Sequence, residues 1–287
     1  MGIIVNAYIF AHPPLIIPEI GQGREADIQR TVDAFKKAAC DIKNDKPDTI
    51  VLITPHGPFF RDLIFINDAE RPLRGDMRRY GAPDVKLEFQ NNLPLVQKII
   101  RNAFQNGIRA TGAKNDLVRR ILGSYVELDH GAIVPLYYIS KEIRDFKLVH
   151  MGVADLPYSD LFKFGQCVAE AIEDVNGDEA CERAVIVASG DMSHSLTWDA
   201  PCGYNEKGHV FDKMLVEYIS RGDIESIVNF DRELAEEAAE CGLRSFIMML
   251  GALRSYNIHP EVYSYEGPFG VGYMVAKIGL ELKREVK

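Results

Sequence analysis

The sequence predicts an α/β protein built on a mixed, largely parallel central sheet that helices cover. Two observations lead to this prediction. Apolar runs of strand length alternate along the chain with longer segments in which apolar residues recur every three or four positions, a pattern typical of parallel strands connected by amphipathic helices. Near the end of the chain, two further apolar runs flank Gly267, Pro268, Phe269 and Gly270, a short connection typical of an antiparallel β-hairpin.

The individual elements follow from the same patterns. Apolar runs too short for a helix predict strands at residues 3–10, 49–54, 132–139, 147–153 and 184–188, and a terminal hairpin at residues 261–265 and 271–278. Helical periodicity predicts helices at residues 26–44, 93–106, 158–175, 210–220, 232–239 and 243–256. Because no linker-like or low-complexity stretch divides the chain, residues 1–287 are expected to form a single domain.

Composition limits the classes of function. The net charge of −9, from 33 basic and 42 acidic residues, argues against binding to nucleic acid, which needs a concentrated basic face. No apolar stretch approaches the roughly 20 residues that span a bilayer, and Met1 is followed by apolar residues without a basic flank or a cleavage site. We therefore expect a cytoplasmic protein, without membrane or nucleic-acid partners, that acts on a small molecule. The five cysteines contain no CxxC pair, which predicts reduced thiols.

Three of the seven histidines come directly after predicted strands. His12, His56 and His194 each lie in a turn rich in glycine, proline or serine that ends an apolar run. Open α/β sheets bind ligands beyond the carboxyl ends of their strands, so these side chains are expected to converge. Because imidazole is a common metal ligand, the three histidines together predict one metal site.

Five short motifs, in this order, match a known family. They are AHPP at residues 11–14, TPHGP at 54–58, LDHG at 128–131 with VPL at 134–136, SGDMSH at 189–194 and ECG at 240–242. Through these motifs nearly the whole chain resembles class III extradiol dioxygenases of the LigB type. Within that family it is most similar to the branch of Memo-like proteins and of the dioxygenase-like domain of AmmeMemoRadiSam system protein A. The resemblance implies a LigB-like fold with a mononuclear metal site.

The resemblance implies that His12 and His56 are metal ligands. In the family, the two histidines bind non-haem Fe(II) together with a glutamate that directly precedes the late glycine, which leaves open positions for substrate and O2. Here Cys241 precedes that glycine, and Glu240 comes one residue earlier. Fe(II) is the expected cofactor if Glu240 binds, whereas a Cys241 thiolate would suit zinc or copper better. A third reading makes Cys241 a small buried residue and Glu240 a solvated carboxylate.

The other family motifs imply acid–base roles. His194 resembles the family's catalytic histidine, which takes a proton from a catechol and returns one during O–O bond cleavage. His130 resembles the substrate-side histidine, which donates a hydrogen bond to bound oxygen or substrate. Asp191 either orients His194 or serves only as a turn former after the strand. His150, inside the strand predicted at residues 147–153, is expected to be a core residue.

Three functions fit these residues. The first is a non-haem iron-dependent extradiol dioxygenase that opens a catechol-type aromatic ring with O2, which the retained His194 and His130 favour. The second, which Cys241 favours, is a Memo-like metal-binding accessory or redox protein without ring-cleavage activity, with a partner such as a radical-SAM enzyme of the same pathway. The third is a zinc hydrolase that activates water. We also expect a homo-oligomer, because cytosolic enzymes of this size are commonly symmetric.

Overall fold

The computed structural model describes residues 2–174 and 183–283. Its strands are β1 (Ile3–Phe10), β2 (Thr49–Thr54), β3 (Ile64–Phe65), β4 (Leu73–Met77), β5 (Ala82–Phe89), β6 (Ala110–Thr111), β7 (Lys147–Gly152), β8 (Arg183–Ser189), β9 (Tyr256–Glu266) and β10 (Tyr273–Leu282). Six of them form the central sheet in the order β7-β2-β8-β1-β10-β9. The first four in this order run parallel, whereas β10 is antiparallel to both β1 and β9.

Helices connect these strands and cover both faces of the sheet. In chain order they are α1 (Pro18–Gly21), α2 (Gln29–Asp45), α3 (Leu93–Gln105), α4 (Asp116–Leu122), α5 (His130–Glu142), α6 (Tyr158–Glu173), α7 (Glu206–Arg221), α8 (Ile224–Val228), α9 (Arg232–Glu237) and α10 (Leu243–Ala252). Two small sheets, β3 with β6 and β4 with β5, lie outside the central sheet. No helix in the described part of the chain is long and apolar enough to cross a membrane.

Alternating side chains place the central sheet between two apolar layers. In β2, Val51 and Ile53 belong to a cluster with residues of α3, α6 and α10, whereas Ile50 and Leu52 belong to a cluster with residues of α2 and α5. All six residues of β2 are buried, as expected of a parallel strand with helices on both faces. Burial on both faces explains why the parallel strands are predominantly apolar runs in the sequence.

The structure confirms the predicted fold class and the central parallel strands. The strands predicted at residues 3–10 and 49–54 have the predicted bounds. The strand predicted at residues 147–153 ends one residue later than β7, and the strand predicted at residues 184–188 is one residue shorter than β8 at each end. The terminal hairpin is also confirmed, and its strands β9 and β10 are longer than predicted.

The helix boundaries differ more from the prediction. The helix α2 begins three residues later than predicted, because a 3-10 helix precedes it. The helix α10 ends four residues early, and the chain then turns into β9. The helix α6 is confirmed up to Glu173, and its predicted last residue, Val175, lies outside the described residues.

The strand predicted at residues 132–139 is wrong, because this segment lies within helix α5. Residues 131–140 are all buried, and a helix buried on every side has no polar face to distinguish it from a buried strand. Asp129 marks the true start of the helix, since its side chain accepts a hydrogen bond from the Ala132 amide as an N-cap.

Candidate metal centre

The carboxyl ends of three neighbouring strands carry the candidate site. His12, His56 and Asp191 each lie two residues beyond a strand end, after β1, β2 and β8 respectively. Since β8 lies between β1 and β2, the three loops meet at one edge of the sheet, as expected of open α/β folds. The loop after β8 also carries His194, and the segment between α9 and α10 contributes Cys241.

The side chains of His12, His56 and Cys241 bring their donor atoms together. The Nε2 atom of His12 lies 2.9 Å from His56 Nε2 and 3.5 Å from Cys241 Sγ, and the three donor atoms all lie within 4.8 Å of one another. A spacing this close is what a metal ion requires, and within the described residues His12, His56 and Cys241 are the histidine, cysteine or carboxylate side chains that meet this requirement. Two imidazole nitrogens and one sulfur are a donor set that suits zinc, copper or iron.

A close backbone contact places Cys241 in this cluster. The amides of Cys241 and Gly242 lie 3.4 and 3.0 Å from the Asp191 carbonyl oxygen, and the Asp191 amide donates to Cys241 Sγ at 3.2 Å. A Cβ atom on Gly190 would lie only 2.1 Å from Gly242 Cα. The glycines of the SGDMSH and ECG motifs therefore let the two loops approach closely enough for the Cys241 thiol to contact His12.

The carboxylate of Glu240 is engaged elsewhere. Its Oε2 accepts a hydrogen bond from the Leu243 amide at 2.6 Å, in the first turn of α10, and its Oε1 lies 3.7 Å from Arg244 Nη1. Burial raises the pKa of the Glu240 carboxyl to about 7, although the Leu243 amide and Arg244 oppose this rise. The structure therefore brings Cys241 to the two histidines and directs Glu240 to the start of α10.

The surroundings of the three donor groups fit a metal ion. Burial lowers the pKa of His12 well below its usual value, with a further contribution from His56, and burial also lowers the pKa of His56. Both imidazoles are therefore neutral near pH 7, which is the form that binds metals. Burial, assisted by Asp191 and Glu240, raises the pKa of the Cys241 thiol. The thiolate would thus form when a cation displaces the proton.

His130, the first residue of α5, packs against both histidines of the cluster. Its ring centroid lies 4.2 Å from that of His56 and 5.3 Å from that of His12. The ring of Tyr80, which is 39% exposed, lies 5.2 Å from that of His130. Burial, together with His56, lowers the pKa of His130 to about 4. Near pH 7 the ring is therefore neutral and carries one N–H that it can donate.

The Ala239 carbonyl orients His194. The Nδ1 atom of His194 lies 2.8 Å from Ala239 O, and because a carbonyl only accepts, Nδ1 carries the hydrogen and Nε2 is the basic nitrogen. Burial lowers the pKa of His194, which favours this neutral form. The distance from Nε2 to Asp191 Oδ2 is 4.0 Å, beyond hydrogen-bonding range. The other oxygen of Asp191 accepts from the His12 amide at 2.8 Å, so Asp191 orients the His12 loop.

The sequence contains no signal for the role of Ala239. Its φ of 52° lies in the left-handed region, where residues with a Cβ atom are uncommon. The preceding carbonyl, that of Ala238, accepts from the His194 amide at 3.1 Å and from Ser193 Oγ at 2.8 Å. The carbonyls of two consecutive alanines thus hold His194. Because both contacts are made by backbone atoms, the residue types give no sign of them.

A largely buried carboxylate, that of Asp129, joins the loops that carry His56 and His130. Its Oδ1 accepts from Thr54 Oγ1 at 2.7 Å, and its Oδ2 lies 3.1 Å from His150 Nε2. The Thr54 hydroxyl oxygen in turn accepts from the His56 amide at 3.2 Å. Against the effect of burial, the contacts with His150 and Thr54 hold the pKa of Asp129 below its usual value. His150 is fully buried, as expected, but its partner was not predicted.

Comparison with known proteins agrees with this fold. The family model of the catalytic LigB subunit of aromatic ring-opening dioxygenase matches residues 6–276. The match covers nearly the whole chain, and the chain belongs to this family. The resemblance based on the five motifs is thereby confirmed.

Individual relatives differ in how much of their length is shared. The chain is 40% identical to protein CA_C1420 of Clostridium acetobutylicum over 271 residues, which cover 94% of this chain and 56% of that protein; it thus spans about half the length of that relative. It is 21% identical over 308 residues to a 2-aminophenol 1,6-dioxygenase beta subunit from Pseudomonas sp, covering 97% and 95% of the two proteins. The crystal structure of uncharacterized protein JW3007 from Escherichia coli K12 has the same fold, with a TM-score of 0.60 at 15% identity and coverage of 96% and 100%.

Proposed function

We propose that this chain is a metal-dependent oxygenase of the LigB type, which holds one ion on His12, His56 and Cys241 and opens the ring of a small aromatic substrate with O2. The observation that carries the proposal is the convergence of the three donor atoms within 4.8 Å, in a chain of a ring-opening dioxygenase family. When bound there, the ion would supply Lewis acidity and a place where substrate and O2 meet.

The surrounding side chains would supply the proton transfers and the substrate contacts. His194 presents Nε2 as its basic nitrogen, so it can accept the proton of a substrate hydroxyl and return it later in the reaction. His130 is neutral and can donate a hydrogen bond to a substrate oxygen. The partly exposed ring of Tyr80 beside His130 offers a face on which an aromatic ring can stack.

The thiol of Cys241 supports a second candidate function. A thiolate ligand is softer than the carboxylate of the facial-triad iron oxygenases and favours zinc or copper. A site of this kind would suit a metal-binding accessory or redox protein that has the LigB fold but does not cleave rings. The two candidates share the ligands and differ in turnover, so one set of variants can separate them.

The test begins with protein purified without added metal. Its metal content is measured, and the protein is loaded anaerobically with Fe(II). Oxygen uptake is then recorded with a panel of catechols and 2-aminophenols for the native protein, Cys241→Ala and Glu240→Gln. We expect the native protein to bind one equivalent of metal and to take up oxygen when a substrate is present. Cys241→Ala should do neither. Glu240→Gln should behave like the native protein, because the Glu240 carboxylate faces the start of α10.

Two results would change the conclusion. If the native protein bound stoichiometric metal but took up no oxygen with any substrate, the oxygenase proposal would be wrong. The accessory or redox function would then remain. Loss of metal in Glu240→Gln but not in Cys241→Ala would overturn the ligand assignment and point to the carboxylate triad instead.

A further inference from the structure

The carbonyl of Gly131 in α5 does not accept the usual backbone hydrogen bond of a helix. In a regular helix its oxygen would accept from the amide of residue 135, but that residue of α5 is Pro135, which has no N–H. A buried carbonyl without a donor costs free energy. Ser189, the last residue of β8, supplies the missing donor, since its Oγ lies 2.6 Å from Gly131 O.

The same hydroxyl contacts His12. Its oxygen lies 2.9 Å from His12 Nδ1, and both side chains are buried, with His12 1% and Ser189 0% exposed. A hydroxyl has a single hydrogen. Because the Gly131 carbonyl can only accept, that hydrogen lies between Ser189 and Gly131. The Ser189 oxygen must then accept its second hydrogen bond from His12 Nδ1.

This arrangement determines the state of the other ring nitrogen. A neutral imidazole carries one N–H, so a hydrogen on Nδ1 leaves the lone pair of His12 on Nε2. The Nε2 atom is the one that lies 2.9 Å from His56 Nε2 and 3.5 Å from Cys241 Sγ. With the opposite tautomer, an N–H would project into the cluster and His12 could not bind a metal there.

We propose that Ser189 is a positioning residue that fixes the tautomer and ring orientation of His12. Pro135 leaves the Gly131 carbonyl without a helical donor, so the Ser189 hydroxyl donates to that carbonyl and can only accept from His12. The inference rests on the proposed function of the cluster as a metal site. Asp191 does not oppose it, since its Oδ2 lies 3.8 Å from His12 Nε2, too far to hold a hydrogen on that nitrogen.

The tautomer can be measured directly in metal-free protein. Long-range proton–nitrogen correlation spectra of histidine-labelled protein distinguish Nδ1–H from Nε2–H rings, and the spectrum of His12→Gln assigns the His12 signals. We expect His12 to be an Nδ1–H ring in the native protein and a mixture of tautomers in Ser189→Ala. An Nε2–H ring in the native protein would overturn the inference without reference to any metal.

Zinc affinity gives a second readout that does not depend on activity. Groups that hold a ligand histidine through its other nitrogen typically contribute 10- to 100-fold in metal affinity. Calorimetric titration with Zn(II) should therefore show about 10- to 100-fold weaker binding for Ser189→Ala, while Ser189→Thr, which keeps the hydroxyl, binds like the native protein. Ser264→Ala is the matched control, because Ser264 is also buried on a strand, in β9, which β10 separates from β1 and therefore from His12.

Pro135→Ala tests the proposed cause. It restores an amide at residue 135, which can satisfy Gly131 and release the Ser189 hydroxyl to turn toward His12. We expect mixed tautomers and zinc binding that is weaker than native but stronger than in Ser189→Ala.

Native-like zinc affinity in Ser189→Ala would overturn the inference. If the native protein bound no zinc, the proposed metal site would fail, and the tautomer spectra would still decide the role of Ser189.

Discussion

The Ala239 carbonyl binds Nδ1 of His194 and leaves Nε2 available for the proton transfer that we propose. Replacing it by glutamine keeps a polar side chain but removes the base. We expect His194→Gln to retain the metal content of the native protein and to lose oxygen uptake by about 10²- to 10⁴-fold, the usual contribution of a general acid or base. The same assays on His259→Gln, which alters an exposed histidine, should give native values.

That pair of variants also separates proton transfer from metal binding. If His194→Gln lost its metal along with its activity, His194 would be a ligand or a support of the cluster. If it kept full oxygen uptake, another group would be the base, and His130, with its ring 4.2 Å from that of His56, would be the next to replace.

Asp212 supports the same loop and predicts a pH dependence of stability. Its carboxylate accepts from the Ser193 amide at 2.8 Å and from Tyr265 Oη at 2.6 Å, and burial raises its pKa to about 6. Because the native state then holds the proton more tightly than the unfolded chain, the contribution of Asp212 to the unfolding free energy falls as pH rises from about 4 and levels off above about 7. Between about pH 5 and pH 7.5 this fall amounts to about 1.4 kcal/mol.

The Asp212→Asn variant removes this titration while keeping an oxygen for the Ser193 amide. Urea unfolding of the native protein and the variant, at about pH 5 and pH 7.5, measures the effect. The stability of the variant relative to the native protein should rise by about 1.4 kcal/mol over this range. The exposed carboxylate of Asp27 provides the control, and a difference as large in Asp27→Asn would show that Asp212 is not the group responsible.

Sequence patterns predicted the positions of single residues better than their contacts. Because His12, His56 and His194 follow apolar strands, their approach to one edge was predictable from the sheet. The roles of Glu240 and Cys241 were not, since the direction of two adjacent side chains in a turn depends on the backbone contact with Asp191. That contact joins segments that lie far apart in the sequence, and no local pattern encodes it.

At the scale of elements, helix α5 shows where a local signal existed. Its apolar run was interpreted as a strand because periodicity cannot distinguish a buried helix from a buried strand. Asp129, directly before this run, is a preferred helix N-cap residue, and it caps α5 in the structure. The replacement of strand by helix matters for the candidate site, because a helix starting at His130 places that side chain next to His56.

The contact between the loop after β8 and the loop before α10 is the element-scale feature that can be tested. In Gly190→Ala, the new Cβ atom would lie 2.1 Å from Gly242 Cα, so the two loops must separate and carry Cys241 away from His12. We expect a folded protein with zinc binding weakened at least about tenfold, since ligands must be held close to their ideal distances. Calorimetric titration with Zn(II) measures this loss.

The control for this substitution is another glycine beside the site. A Cβ atom on Gly57 would meet its nearest neighbour, Asp129 Oδ2, at 3.6 Å, which is an ordinary contact distance. Gly57→Ala should therefore bind zinc like the native protein. Equal losses in both variants would mean that the site tolerates no change in its loops, and the specific role of the Gly190 contact would have to be abandoned.

At the scale of the whole molecule, the parallel sheet was predictable because each of its strands is a short, predominantly apolar run. The two small sheets were not predicted. The strands β3 and β6 have two residues each, and their pairing of Ile64 with Ala110 joins segments that α3 separates. Such short strands lack a period of their own and form only where the rest of the fold holds them together.

The proposed ion would join segments that lie far apart in the sequence, since its ligands come from the loops after β1 and β2 and from the segment before α10. An unfolded chain cannot present His12, His56 and Cys241 together, so metal that binds the native state must stabilise it. At a free metal concentration 100 times the dissociation constant, this stabilisation is about 2.7 kcal/mol. The thermal unfolding temperature with zinc should therefore be clearly higher than with a chelator in the native protein, and equal to it in Cys241→Ala.

The exposed Cys40 supplies the control. Cys40→Ala should keep the full difference in unfolding temperature, and an unchanged difference in Cys241→Ala would place the stabilising ion at another site.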